Sequence, residues 1–342
     1  MTLSLQELAS NDDDTQKLDR ALRPTTFDDY IGQPDLVQRL RIVIQAAQQR
    51  DEPVDHILIT GPPGLGKTTI AVILAHEYKS AIKIVNGPSV TKPSEIIDIL
   101  LGLNKNDILF IDEIHRLKPH MEEMLHHAME DFVIYIKMAG SKEFVKMPVK
   151  PFCLVGATTQ IGRISKPVID RFGLVHTLDF YDPADLAKII SVSARKLNTK
   201  LIDTDAVEML STRSRGTPRI ANRLLRRVRD YSEVYQCQTI TSEIVERTLK
   251  IEGIDESGLT KEDLQYMRLL AYTYRNKPVG IDSIATSLSS DKHIITDHIE
   301  SYLIRLGLVT RTRSGRILTE DGLQFIKVRQ EQDIHSNSPT PN

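Results

Sequence analysis

The rhythm of hydrophobic and polar positions changes twice along the chain. Between about residue 20 and residue 180, short apolar runs recur: "HILIT" (56–60), "AIKIVN" (81–86), "DILFID" (107–112) and "FCLVGATT" (152–159). Helical stretches such as "KTTIAVILAHEYK" (67–79) lie between them. That alternation predicts an α/β domain over 19–182, a parallel sheet with helices on both faces. From 183 to 253 the strand signal stops. "DLAKIISVSARKL", "TDAVEMLSTRS", "PRIANRLLRRVRDYSEVY" and "TSEIVERTLKI" read as four helices of a small helical domain. From 254 to 330 three helices, "KEDLQYMRLLAYTYR", "IDSIATSL" and "DKHIITDHIESYLIRL", precede two short strands around "RSGR" (313–316). Three helices and a hairpin predict a winged helix-turn-helix. Within the first domain, "VIYIKMAGSKEFVKMPV" (133–149) alternates like a β-hairpin turning near "AGSK" (139–142). The polar ends, 1–18 and 331–342, are expected to be mobile.

Composition narrows the partners. The chain has 342 residues, 40% hydrophobic and 26% charged, as in an ordinary globular protein, with a net charge of −2. From 254 onward, 11 Lys and Arg face 12 Asp and Glu, so any polyanion site must be a local patch. Two cysteines give no disulfide framework, which suits a reducing cytoplasm. The acidic N-terminus lacks a signal-peptide pattern, and no window of about 18 apolar residues predicts a membrane helix.

The chemistry concentrates at strand ends. "GPPGLGKT" (61–68) fits G-x-x-x-x-G-K-[ST] between an apolar strand and an apolar helix, the context that makes a phosphate loop. Its backbone N–H groups and the helix dipole suit phosphate. Lys67 would reach the β and γ phosphates, and the Thr68 hydroxyl would ligate Mg²⁺. "DILFIDE" brings Asp112 and Glu113 to a strand end, where open α/β sheets bind ligands. Asp112 suits Mg²⁺ through water, and Glu113 suits polarising an attacking water. Thr158 and Thr159 end a third strand; one could sense the γ-phosphate, or both could cap the next turn. Arg171 in "DRFGLV" either pairs with Asp170 or another local acid, or reaches into a neighbouring subunit's site to stabilise transition-state charge. Arg219 stands at a helix N-terminus, where a cation opposes the dipole, and closing over the γ-phosphate would explain it. His115, His126 and His127 fit no H-E-x-x-H metal pattern. Arg311, Arg313 and Arg316 crowd one turn, and such a cluster calls for an anion.

Several blocks resemble the RuvB family of AAA+ ATPases: "RPTTFDDYIGQ", "DHILITGPPGLGKTT", "LFIDEIHRL", "AMEDF", "GATT", "DRFGLV", "RGTPRIANRLLRRVRD" and "RTRSGR", in that order. The resemblance spans about 20–328. It implies an ATPase domain, a helical lid and a winged helix. It further implies ATP with Mg²⁺, a homohexameric ring on duplex DNA, and branch migration of Holliday junctions with RuvA, upstream of RuvC. Carried onto this sequence, it places Leu22, Arg23 and Tyr181 by the adenine and ribose. Gly64, Lys67, Thr68 and Thr69 hold phosphate and Mg²⁺, and Glu130, Asp131 and Phe132 belong to the nucleotide site. Arg171 becomes the arginine finger and Arg219 the lid arginine. Arg311 and Arg316 match the residues that contact the DNA backbone; beside what the resemblance implies, Arg313 in the same turn and Lys292 on the candidate recognition helix are further expected DNA contacts. The hairpin over 133–149 would dock RuvA. Three other readings stay open: a diverged paralogue uncoupled from RuvA, a clamp-loader-like ATPase, and an ATP-switched DNA-binding regulator.

Overall fold

β1 (Ile57–Thr60), β2 (Ile82–Asn86), β3 (Ile108–Asp112), β6 (Cys153–Thr158) and β7 (Leu174–Thr177) form one parallel sheet in the order β2-β3-β6-β1-β7. Between β3 and β6 the chain makes a hairpin of β4 (Val133–Lys137) and β5 (Phe144–Pro148). This is a computed structural model, and it describes residues 21–137 and 144–336. The expected hairpin turn at 139–142 and the N-terminal segment 1–18 lie outside the described residues. The described chain divides into two compact units, 1–199 with 217–219 and 200–216 with 220–342.

In the first unit, burial follows strand position. β1 and β6 lie inside the sheet and every residue in them is buried, because helices cover both faces. β2 and β7 are edges and keep half-exposed positions. Helices Pro34–Arg50, Pro93–Leu101, Pro119–Asp131 and Pro183–Lys196 each begin with proline, whose fixed φ and missing N–H suit a first helical turn. One core runs from Leu58 and Ile111 in the sheet to Leu125, Phe152 and Val168.

His56, just before β1, ties three elements at the sheet's lower end. Its Nδ1 accepts the Leu154 N–H at 2.8 Å, so its proton sits on Nε2, 3.2 Å from the Met129 carbonyl. Burial therefore holds its pKa below the usual 6.5. The unfolded chain binds a proton below pH 6.5 that the folded chain refuses. Stability should thus fall as pH drops below 6.5, by at most about 1.4 kcal/mol per pH unit from this group. A His56→Gln chain should show a shallower slope between pH 6.5 and 5 in thermal unfolding. Equal slopes would remove His56 from the acid response.

The second unit contains helix Thr204–Arg213, most of Pro218–Val234, Ser242–Ile251, and the two-residue pair β8 (Leu201–Ile202) and β9 (Thr239–Ile240). This pair breaks the all-helical expectation for 183–253; two-residue strands leave no periodicity to read. Helices Lys261–Arg268 and Ile281–Leu288 follow, then a helical run of Lys292–Ile294, Ile295–Glu300 and Ser301–Arg305. β10 (Val309–Thr312) and β11 (Gly315–Leu318) pair antiparallel, and helix Glu320–Ser336 closes the described chain. That last helix runs six residues beyond 330, into the stretch read as a mobile tail. After Gly322 in its first turn, the sequence holds no glycine or proline until Pro339. Leu269–Thr273 and Ile295–Glu300 are π-helical, where the pattern predicted plain α-helix. Among the described residues, no helix is long and apolar enough to cross a membrane.

Candidate functional site

The phosphate loop leaves the C-terminal end of β1 at Thr60 and enters helix Lys67–Tyr78. Lys67 is 7% exposed, and its ammonium donates to the carbonyls of Gly61 (2.8 Å) and Pro62 (2.9 Å). Gly66 caps the helix with no side-chain bond, and half-buried Thr68 and Thr69 follow Lys67 in its first turn. Gly64 has φ +82°, and a Cβ there would lie 2.8 Å from Thr217 and 2.9 Å from Arg219. The Arg219 N–H donates to the Gly64 carbonyl at 3.3 Å. Arg219 therefore packs on the loop itself.

β3 ends at Asp112, whose Oδ1 accepts the Glu113 N–H at 3.0 Å. Glu113 has φ +50°, an uncommon conformation for a non-glycine residue. Its Oε2 accepts from the Thr159 hydroxyl at 3.3 Å and lies 3.2 Å from His115 Nδ1. His115 Nδ1 is also 2.9 Å from the Thr158 hydroxyl, which accepts the Gln160 N–H. Of the two threonines, then, Thr159 is the one that touches Glu113. Thr158 is fully buried and organises the turn. In the sheet, β6 lies between β1 and β3, so these groups share one rim with the phosphate loop. The hydroxyl of Thr68 and the carboxylate of Asp112 are hard oxygen donors that fit Mg²⁺.

Two residues of this site escaped the sequence reading. For His115 the sequence pattern raises only the question of a metal ligand. Gly87 stands in no local motif, yet a Cβ there would stand 2.6 Å from the Glu113 carbonyl and 3.0 Å from that of Asp112. A Gly87→Ala chain should shift the Asp112–Glu113 backbone and slow ATP hydrolysis roughly ten- to a hundredfold, since misplacements near 1 Å cost that much. Nucleotide affinity should hold. Unchanged turnover in a steady-state assay would mean that this backbone can move freely.

Tyr181 is buried, donates to the Leu65 carbonyl at 3.4 Å, and meets the Tyr30 hydroxyl at 2.8 Å. Burial pushes its pKa up to about 12, so it remains a neutral donor. Leu22 is buried and Arg23 half-buried, and the Lys196 ammonium donates to their carbonyls at 3.5 and 3.2 Å.

Arg171 lies elsewhere. It precedes β7, whose first residue, Leu174, pairs with Ile57 at the start of β1. That is the opposite end of the strands from the phosphate loop. Arg171 Nη2 pairs with Glu130 Oε1 at 2.6 Å, while its Nε is buried with no partner among the described residues. Glu130, exposed Asp131 and Phe132 end or follow helix Pro119–Asp131 at this lower end. Phe132 has φ +52° and sets its ring against that of Phe152 at 6.2 Å. The structure thus joins Arg171 to the Glu130 block and separates both from the chain's own phosphate loop.

The arginine turn holds a surprise. Arg311 and Arg316 face each other across β10 and β11, and both bond the fully buried carboxylate of Glu300. Glu300 was not anticipated; no local pattern connects it to residues 11 and 16 positions later. Arg313, at the turn's tip, is exposed and has no side-chain partner among the described residues. Lys292 is exposed and pairs with Asp282.

Comparison with known proteins follows the same division. A family model described as the Holliday junction DNA helicase RuvB P-loop domain matches residues 22–178. Others described as the RuvB AAA lid domain and the RuvB C-terminal winged helix domain match 181–255 and 256–327. The chain is 45% identical over 329 residues to the Holliday junction branch migration complex subunit RuvB of Kosmotoga olearia, covering 96% of each. The solved RuvB Holliday junction branch migration motor of Thermotoga maritima is 40% identical, with a TM-score of 0.82 over 90% of this chain and 98% of that one. A point mutant of the T. maritima protein gives 41% and 0.84 at the same coverage.

Proposed function

The chain belongs to the RuvB family of AAA+ P-loop ATPases, and from that membership we propose that it is the ATP-driven motor of Holliday-junction branch migration. In this reading Gly64, Lys67, Thr68 and Thr69 hold the phosphates, and Thr68 with Asp112 holds Mg²⁺, which supplies charge neutralisation on the phosphates. Glu113 orients the attacking water, Thr159 fixes Glu113, and Arg219 closes on the loop. Leu22, Arg23 and Tyr181 flank the base and ribose.

Arg171 stands at the far end of the strands, so it serves a neighbouring copy. Glu130, Asp131 and Phe132, bound to the same end, go with it. Such a head-to-tail arrangement fits a closed ring of copies, here a homohexamer threaded by duplex DNA. Arg311, Arg313, Arg316 and Lys292 contact the DNA backbone, which suits a motor that must hold every sequence alike. The exposed Tyr135, Phe144 and Val145 of the β4–β5 hairpin support docking of RuvA there, with RuvC acting afterwards and the whole cycle in the cytoplasm.

The observation that carries the reading is a P-loop sharing one sheet rim with Asp112 and Glu113, in a chain that also has a winged helix tipped by arginines. A clamp-loader-like ATPase lacks a role for that winged helix. DNA-stimulated ATP hydrolysis tests the pairing of site and wing. Turnover should rise on adding duplex of any sequence and stay flat on adding free nucleosides. A response confined to one DNA sequence would favour a sequence-reading regulator instead.

A further inference from the structure

Glu300 is 0% exposed and is the final residue of the π-helical segment in the recognition helix. Its Oε1 accepts the Arg316 Nε–H at 2.9 Å and the Tyr266 hydroxyl at 3.0 Å. Its Oε2 accepts the Arg311 Nε–H at 2.7 Å and lies 2.7 Å from Arg311 Nη2, which also reaches the Thr296 carbonyl at 3.4 Å. Burial and the Glu300 charge push the Tyr266 pKa upward, keeping that hydroxyl a donor. The carboxylate is therefore saturated, as a buried charge must be.

Three facts need one explanation. Like charges placed directly opposite on paired strands repel, yet Arg311 and Arg316 occupy opposite positions. Their side chains remain 47% and 18% exposed, so burial does not account for them. A buried acid beneath them cancels one positive charge, which by itself weakens attraction to a polyanion. Geometry offers the compensation. Arg316, held at Nε, keeps its Nη–H donors for a second acceptor, and Arg311, held at Nε and Nη2, keeps those of Nη1; the rotamers of both are fixed before that acceptor arrives.

We propose that Glu300 is a positioning residue for DNA: it sets Arg311 and Arg316 as a preformed clamp for a backbone phosphate. The proposal rests on the reading that the wing contacts DNA. Arg313, exposed at the tip, makes a separate contact. The clamp works by orientation rather than by charge, so charge-preserving changes should damage it.

Binding of the full chain to a fluorescent random-sequence duplex, by anisotropy, provides the test. Arg311→Lys with Arg316→Lys keeps both charges and loses both Nε tethers. It should bind about tenfold more weakly. Glu300→Gln keeps the shape and removes the charge, and should lose a similar factor. Placed in the lysine-substituted chain, Glu300→Gln should add no further loss, a result that a merely structural role would not give. Parental affinity for the doubly lysine-substituted chain overturns the proposal. So does tighter binding by Glu300→Gln, which would make the carboxylate a mask. If Glu300→Gln unfolds the winged helix, Arg311→Lys with Arg316→Lys decides alone. Parental affinity after replacing Arg311, Arg313 and Arg316 all by Ala would instead remove the wing from the DNA contact, which fails the underlying reading.

Discussion

An Arg171→Ala chain is expected to hydrolyse ATP about 10³- to 10⁵-fold more slowly than the parent while still binding nucleotide. The position of the residue gives this number its meaning. Arg171 sits before β7, at the strand end opposite the phosphate loop, so truncating it leaves the chain's own loop untouched. Its only ion pair is with Glu130 among the described residues, and that pair is about 40% exposed, worth little to stability. A large loss of turnover without a loss of folding is therefore the signature of an arginine acting in a neighbour's site. Complementation sharpens the test. An Arg171→Ala chain retains an intact Glu113, and a Glu113→Gln chain retains an intact Arg171. Mixing the two inactive chains should restore part of the activity at interfaces where Glu113 and Arg171 meet. Mixtures as inactive as their parts, given proven co-assembly, would place Arg171 in its own site or in none.

Glu113→Gln should cost about 10²- to 10⁴-fold in turnover, the range for removing a residue that handles the proton of the attacking water. The substitution keeps the size of the side chain and its contact with Thr159, so nucleotide affinity should remain. The fold invests in this residue. Its backbone is held at φ +50°, its N–H is tied to Asp112, and Gly87 approaches so closely that no Cβ fits. Strain of this kind costs on the order of 1–3 kcal/mol and persists only where the surroundings over-determine it. Single-turnover hydrolysis read beside equilibrium nucleotide binding separates the two effects. Parental single-turnover rates would move the water-activating role to another group.

Much of this was legible along the sequence because the signals are local. Apolar runs of four to six residues marked the central strands, and the G-x-x-x-x-G-K-T spacing marked the loop between strand and helix. Asp112 and Glu113 were legible because an apolar run must end at the rim of a buried sheet. What stayed hidden depends on contacts between distant segments. Gly87 matters because a turn after β2 passes the end of β3. His115 matters because β6 brings Thr158 beside it. Glu300 matters because a helix residue meets both strands of the wing, and its acid changes the arginine turn from a free cationic tip into a preorganised one. The two π-helical segments were invisible because an added residue in a helix barely alters a short hydrophobic pattern. For Glu130, resemblance alone suggests a role, and the sheet's direction adds that it shares an end with Arg171.

The most direct measurement is ATP-dependent dissociation of a synthetic four-way junction by the full chain, with and without RuvA from the same cell. The account predicts dissociation that needs ATP, rises with RuvA, and disappears in the Glu113→Gln chain. A chain with intact ATPase activity that leaves the junction whole, even with RuvA present, would contradict it.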